Sequence, residues 1–392
     1  MSPLLLRILS PTTNALKSPL SRHNRRRSRL QHHHHNQKSL DEYISSIAKK
    51  LAKLILRASV TTLAVLILQL VYVVLRTPRL PPPPLSGANF VKEGRAVAAD
   101  QNGQLIDTNY TDLKSKPQKE FRVVLIGDSP VEGIGNAHHQ LATSGQTAKA
   151  FAQKLNNCDC VRYWSYGKSG LTAREIEEEI VPHLHDVQQS LLDDANVKEE
   201  GAMIHAVVLL CGVNNVLDVN STSSSFYSDV HSLIRSIRNN PRLSNTPLIV
   251  LGLPDFSKLP FLPWPLAFVL GRRGRMMQSM LEKVVGEVQL KERESNNNGQ
   301  GKVRTILKVI PEIQSVLGSI GYHCSDGSDA TVKMKLCHPL LKYLGGIQLS
   351  QAQIASLDMS DFLCDDGFHP GKLGTVYVGN LIREAYEEMT QN

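Results

Sequence analysis

Two hydrophobic patterns divide the chain. The first is an uncharged run over residues 58–75, bounded by Arg57 and Arg76 and built mainly from Leu, Val, Ile and Ala without Pro or Gly. Only Ser59, Thr61, Thr62 and Gln69 interrupt it with polar side chains, so it lacks the polar stripe of a helix packed on a core. A hydrocarbon core takes roughly 17–25 apolar residues of helix, and the run predicts a transmembrane helix. The second pattern begins near Phe121, where short β-branched runs alternate with longer helical stretches. Strands are expected at 122–126, 161–166, 205–211, 247–251 and 303–309, and helices at 172–184 and 228–239 among others. Strands alternating with helices imply a mostly parallel sheet covered on both faces, a three-layer α/β/α domain. No internal repeat is present.

The flanks of the apolar run add an orientation. Arg25, Arg26, Arg27, Arg29, Lys49, Lys50, Lys53 and Arg57 lie upstream, against Arg76, Arg79 and Lys92 downstream. A basic excess on one side places that side in the cytosol and the larger domain in a lumen or outside the cell. The first 40 residues carry Ser and Arg but no acid, which leaves a mitochondrial or plastid transit segment as the alternative. The expected organisation is a basic, disordered segment over 1–57, the span over 58–75, a Pro-rich stalk over 76–120 that includes Pro81, Pro82, Pro83 and Pro84, and a catalytic-type domain over 121–392. His32–His35 form a short tract able to bind metal, but read first as a low-complexity spacer.

The net charge of +8 changes little, because the excess sits in the N-terminal segment and describes a tail, with no nucleic-acid partner implied. Six cysteines are too few for a disulfide scaffold, and no CxxC pair suggests zinc. Cys211 falls in an apolar run and reads as a buried thiol, while Cys324 and Cys337 are able to pair in an oxidising compartment.

Candidate chemistry gathers where strands end. Val123 to Ile126 lead into Gly127-Asp128-Ser129, which puts a hydroxyl at the carboxyl end of a strand, where ligands bind in parallel α/β sheets. The second strand ends at Gly167, whose backbone N–H is open to a substrate oxygen, before Thr172 starts a helix. The third leads into Gly212-Val213-Asn214-Asn215, where an amide is able to donate to a developing oxyanion or simply to cap a helix. Near the C-terminus, Asp366 precedes His369 by three residues, a spacing that lets a carboxylate fix an imidazole tautomer.

Together and in this order, these four segments resemble the sequence blocks of the SGNH, or GDSL, hydrolase superfamily, over about 121–386. The resemblance implies a flavodoxin-like fold with a five-stranded sheet, Ser129 as nucleophile, His369 as base and Asp366 as its orienting acid. It implies an oxyanion hole from the backbone of Ser129 and Gly167 and the Asn214 side chain. No metal or organic cofactor is implied, and the partner is a small-molecule or lipid ester. Two positions depart from the family pattern: Asn215 stands for the usual Asp and Pro130 for the usual Leu. A Pro- and Leu-rich stretch over 259–266 also resembles one esterase branch, and should lie near the site to receive an acyl chain, touch the bilayer or pack on the core. Arg272, Arg273 and Arg275 follow it, either to meet an anionic head group or to face solvent. A long insertion over 318–360 has the length of a lid. Asn109 and Asn220 begin glycosylation triplets. An ester hydrolase is the leading expectation, with an acyltransferase of the same fold and a silent scaffold as its rivals.

Overall fold

The computed structural model describes residues 19–76, 78–82, 91–97, 119–153, 155, 160–185, 203–259, 261–294, 304–310 and 359–391. It divides into two compact units, Met1–Leu68 and Gln69–Asn392.

The first unit belongs to one helix, α1 (Pro19–Arg76). Residues 19–57, expected to be disordered, are helical within it. The stretch Glu42–Val73 is long and apolar enough to cross a membrane, and none of it is buried inside the molecule.

The second unit is built on a six-stranded sheet: β1 (Val91–Val97), β2 (Glu120–Gly127), β3 (Cys160–Gly167), β4 (Ala206–Leu210), β5 (Leu248–Leu251) and β6 (Thr305–Lys308). Five were expected. The sixth, β1, lies inside the presumed stalk and pairs antiparallel with β3, Lys92 opposite Ser165. Its sequence, Val-Lys-Glu-Gly-Arg-Ala-Val, is too charged to read as a strand in isolation, and it is held at the sheet edge by its partner. The other five strands are parallel, in the order β3-β2-β4-β5-β6. In sequence order this is the flavodoxin-like arrangement, whose direction of winding reverses between β2 and β4 and opens a crevice there.

Helices cover both faces, which is why β3, β4 and β5 are buried at every position; β4 and β5 read as unbroken apolar runs, while β3 also buries Arg162 and Ser165. On one face α3 (Thr143–Ala152) packs against α8 (Lys372–Gln391). Phe151, Ile382 and Ala385 there meet Phe121, Val123 and Val161 of the sheet in one buried cluster. Further helices include α4 (Ala173–Glu175), α6 (Ser223–Asn239) and α7 (Leu266–Glu294), where α6 packs on both α4 and α7. Thr172 starts α4 as expected, through a capping box: its hydroxyl accepts from Glu175 N, and the Glu175 carboxylate accepts from Thr172 N at 2.8 Å. Helical turns continue through Ile176–Ile180 and Val181–His183.

Several expectations fall outside the described residues: Cys324, Cys337 and Asn109, residues 318–358 of the expected lid, and 83–90 and 98–118 of the expected stalk.

Candidate active site

The carboxyl end of β2 turns directly into a single helical turn, α2 (Ser129–Glu132), with Asp128 at its N-cap and Pro130 in its first turn. Proline suits that position because the missing N–H has no helical acceptor there, so replacement of the usual leucine costs the turn nothing. Gly127 is required by close approach: a Cβ there would stand 2.3 Å from the Leu210 carbonyl oxygen. At Gly167, opposite Gly127 in the sheet, a Cβ would meet Glu132 N at 2.2 Å. Both glycines thus let the serine-bearing turn settle onto its neighbouring strands, a packing demand that the tripeptide alone does not reveal.

The carbonyls at the end of α2 are held from three directions. Ser165 Oγ of β3 donates to Val131 O at 2.7 Å and in turn accepts from Ser144 Oγ at 2.8 Å. Lys92 Nζ, brought in by β1, donates to Glu132 O at 2.6 Å. Gly133 N closes onto Ser129 O at 2.9 Å. Lys92 is 9% exposed, and burial lowers its pKa, opposed by Glu132. A cation at a helix C-terminus also matches the sign of the helix dipole.

Asp366 and His369 lie on a tight loop between Phe362 and α8. Cys364 N donates to His369 O at 2.8 Å, and Gly367 takes the turn at φ 69°, a region glycine enters without strain. His369 Nδ1 lies 2.5 Å from Asp366 Oδ2, while Asp366 Oδ1 accepts from the backbone N–H groups of Phe368 and His369 at 2.9 and 3.0 Å. Burial on its own would raise the Asp366 pKa, but the imidazole and these two N–H donors outweigh it, and the carboxyl titrates below its ordinary range. The Phe368 ring packs edge-to-face on Phe261 with centroids 5.7 Å apart. Part of the 259–266 stretch therefore braces the histidine loop, while Trp264 is 78% exposed.

Asn214 stands in a short helix, α5 (Val213–Leu217), which starts at Gly212. Its Nδ2 donates to Asp128 Oδ2 and to Leu171 O, both at 3.0 Å. Asp128 is 1% exposed, and burial pushes its pKa up to about 7. Asn215 does not cap the helix. Its Oδ1 accepts from Ala173 N at 2.9 Å and its Nδ2 donates to Ser221 Oγ at 3.1 Å, which ties the loop after β3 to the loop after β4. The amide supplies the acceptor that the usual aspartate would supply, and adds a donor that an ionised carboxylate lacks.

Ser129 and His369 line one cavity of about 130 Å³ at the carboxyl edge of the sheet. Asp366 is bonded to His369, Asn214 to the residue preceding Ser129, and Gly167 backs onto the serine turn; none of these three lines the cavity. Arg273 was read as a head-group contact or a solvent-facing charge. Instead its Nη2 donates to Asn215 O at 3.1 Å, and to Asp218 O and Ser221 O, so it clasps the loop that follows Asn214. Arg275 lies 3.5 Å from Asp255. Lys92 and Arg273 are the site-supporting residues that the sequence reading missed, and no local signal marks either. Cys160, Cys211 and Cys364 are free thiols; burial raises the pKa of Cys211, and burial with Asp366 and Asp365 raises that of Cys364 to about 11. Among the described residues no cluster of three or more His, Cys, Asp or Glu is arranged to hold a metal ion.

A three-layer α/β domain with a serine and a carboxylate-bonded histidine on one cavity has the parts of a hydrolase. A family model described as GDSL-like Lipase/Acylhydrolase matches residues 123–382. More than half of the chain is covered, and the chain belongs to that family, which makes it a hydrolase acting on esters. Similar solved structures include a lipase/acylhydrolase from Enterococcus faecalis, at 16% identity over 68% of this chain and 96% of that one, with a TM-score of 0.36. An acetylxylan esterase, Axe2, from Geobacillus stearothermophilus is 13% identical over 68% and 94%, with a TM-score of 0.35. A carbohydrate esterase family 2 enzyme from Corynascus thermopiles (Myceliophthora fergusii) is 12% identical over 74% and 72%, with a TM-score of 0.40. No curated protein matches the chain.

Proposed function

We propose that the protein is a membrane-anchored serine hydrolase that cleaves carboxylic esters of lipid-like or acylated substrates through Ser129, His369 and Asp366. The observation that carries this reading is the placement of Ser129 and His369 on one cavity, with Nδ1 of His369 held 2.5 Å from the buried Asp366 carboxylate. A bond from Asp366 to Nδ1 leaves Nε2 as the nitrogen that takes the serine proton.

In the first step Ser129 Oγ bonds to the acyl carbon as its proton moves to His369 Nε2, and the carbonyl oxygen becomes an oxyanion. The backbone N–H groups of Ser129 and Gly167 and the Asn214 amide receive that charge. Both protons on Asn214 Nδ2 already face protein oxygens, so its contribution is a shared bond, with the oxyanion as an added acceptor beside Asp128. The alkoxide leaves with the proton from His369, and water, deprotonated by the same nitrogen, then releases the acid and regenerates Ser129. These steps require no metal or organic cofactor. Apolar helix α1 anchors the chain as a single pass, with the hydrolase domain on the lumenal or extracellular side as the flanking charges imply.

A fluorophosphonate probe tests the catalytic reading. Full-length protein is expected to be labelled at Ser129, and Ser129→Ala to lose both the label and at least a thousandfold in ester turnover. Folded wild-type protein that resists the probe, or an Ala variant that keeps its turnover, overturns the assignment.

A further inference from the structure

The start of α7 turns an apolar face outward. Its first turns bury Leu266, Ala267 and Gly271 and expose Phe268 and Val269, with Trp264 exposed just ahead of them and Arg272 exposed one turn further on. This surface is tied to the end of α1. Gln69 Nε2 donates to Trp264 O at 2.6 Å, and Gln69 Oε1 accepts at 3.2 Å from Leu266 N, a donor at the N-terminus of α7 that lacks a partner within the helix. Shortly after Arg76 the chain is fastened again, where Pro81 O accepts from Gly135 N at 3.3 Å. All these residues belong to the second unit, which begins at Gln69.

Gln69 also belongs to the stretch Glu42–Val73 that is long and apolar enough to cross a membrane, and it stands about 6 Å along the helix from the end of that stretch, at roughly 1.5 Å per residue. An amide at that depth is costly unless its polar atoms find partners, and both polar atoms of Gln69 find them in the backbone of Trp264 and Leu266. We infer that the second unit docks on the bilayer surface through Trp264, Phe268 and Val269, which enter the interface to a depth of about 5–10 Å while Arg272 meets the lipid phosphates, an inference that rests on the membrane-anchored reading. The occupant is the bilayer because the backbone at Trp264 is bonded to a residue of the apolar span itself. Indole suits the boundary between hydrocarbon and water, and an arginine one turn beyond Phe268 lays its stem along apolar surface and keeps its charge among head groups. Phe261 of the same segment packs on Phe368, so the docked edge is also the one that braces the histidine loop.

The test uses full-length protein reconstituted in phosphatidylcholine vesicles, with and without bromine on the acyl chains, since bromine quenches indole emission at short range. The chain has two tryptophans, and Trp164 is buried in the sheet, so Trp264 is the one placed to report contact with lipid. Wild-type emission is expected to fall by about a third or more in the brominated vesicles, and that of Trp264→Phe by no more than about a tenth. The double variant Phe268→Glu/Val269→Glu, checked for folding by circular dichroism, replaces exposed apolar groups with charge and is expected to lose about half or more of the wild-type quenching. Equal wild-type emission in the two kinds of vesicle, a fall that survives Trp264→Phe, or quenching that the folded double variant keeps in full overturns the docking. Carbonate extraction separates this from the anchor: a chain that resists carbonate while Trp264 stays unquenched keeps the anchor and loses the docking, and a chain that carbonate releases loses both.

Discussion

Asp128 is the residue whose chemistry is least expected from its place in the sequence. A carboxyl with 1% exposure is costly to ionise, and burial, outweighing a backbone hydrogen bond that acts the other way, pushes its pKa up to about 7. The sign of the linkage follows. Below about pH 4 the group is protonated in both folded and unfolded chains and costs nothing. From about pH 4 to pH 7 the unfolded chain releases the proton more readily, so folding loses stability across that window, to roughly 4 kcal/mol at its upper end. Asp128→Asn keeps an acceptor for Asn214 and removes the ionisation. It is expected to raise the melting temperature clearly at about pH 8 and hardly at all at about pH 4.5. Equal shifts at both values, followed by circular dichroism, would show that the carboxyl is not held neutral. Asp366 behaves oppositely because donors surround it: its stabilising bonds persist until the pH falls below the ordinary carboxylate range.

At the scale of elements, the serine turn is too short to hold itself. Four residues make one helical turn, and isolated turns are unstable in water. Its geometry comes from β3 through Ser165 and from β1 through Lys92. Lys92→Met keeps the aliphatic stem and removes the donor to Glu132 O, so the turn is expected to loosen with modest loss of stability, about 1–2 kcal/mol. Turnover of a soluble ester should fall about tenfold in kcat with KM little changed, since the positioning of Ser129 is affected before substrate contacts are. A kcat equal to wild type would show that β1 serves only as an edge cover. This support was illegible beforehand because β1 lacks apolar alternation and is a strand only when β3 is beside it. Arg273 was illegible for a related reason: an arginine on a helix reads as solvated, and its acceptors lie more than 50 residues earlier in the chain.

At the scale of the whole molecule, the chain divides into two compact units, Met1–Leu68 and Gln69–Asn392. Anchoring by α1 predicts that the full-length protein partitions with membranes and resists extraction by carbonate, while a chain lacking residues 1–76 becomes soluble. If the second unit is lumenal, the exposed Asn220 is accessible to glycosylation, and digestion with an endoglycosidase should shift the full-length band, with a smaller shift for Asn220→Gln, which retains the Asn109 triplet, and none for the double variant Asn109→Gln/Asn220→Gln. Full-length protein released by carbonate would remove the anchor from the reading.

The amino-acid sequence by itself determined the features that repeat locally. Five strands were legible because burial favours short runs of β-branched and aromatic residues bounded by turn residues, and the apolar helix because its length carries no charge. The Ser129, Asn214 and His369 segments were legible because each sits at a strand or loop end marked by Gly, Asn or Pro. Tertiary structure alone decided that β1 joins the sheet, that Lys92 and Arg273 hold loops remote from them in sequence, that Asn214 leans on a buried Asp128, and that Ser129 and His369 line one cavity. The division has one physical cause: periodicity is a property of neighbours along the chain, whereas burial, donor–acceptor pairing and cavity shape exist only once distant segments have packed together.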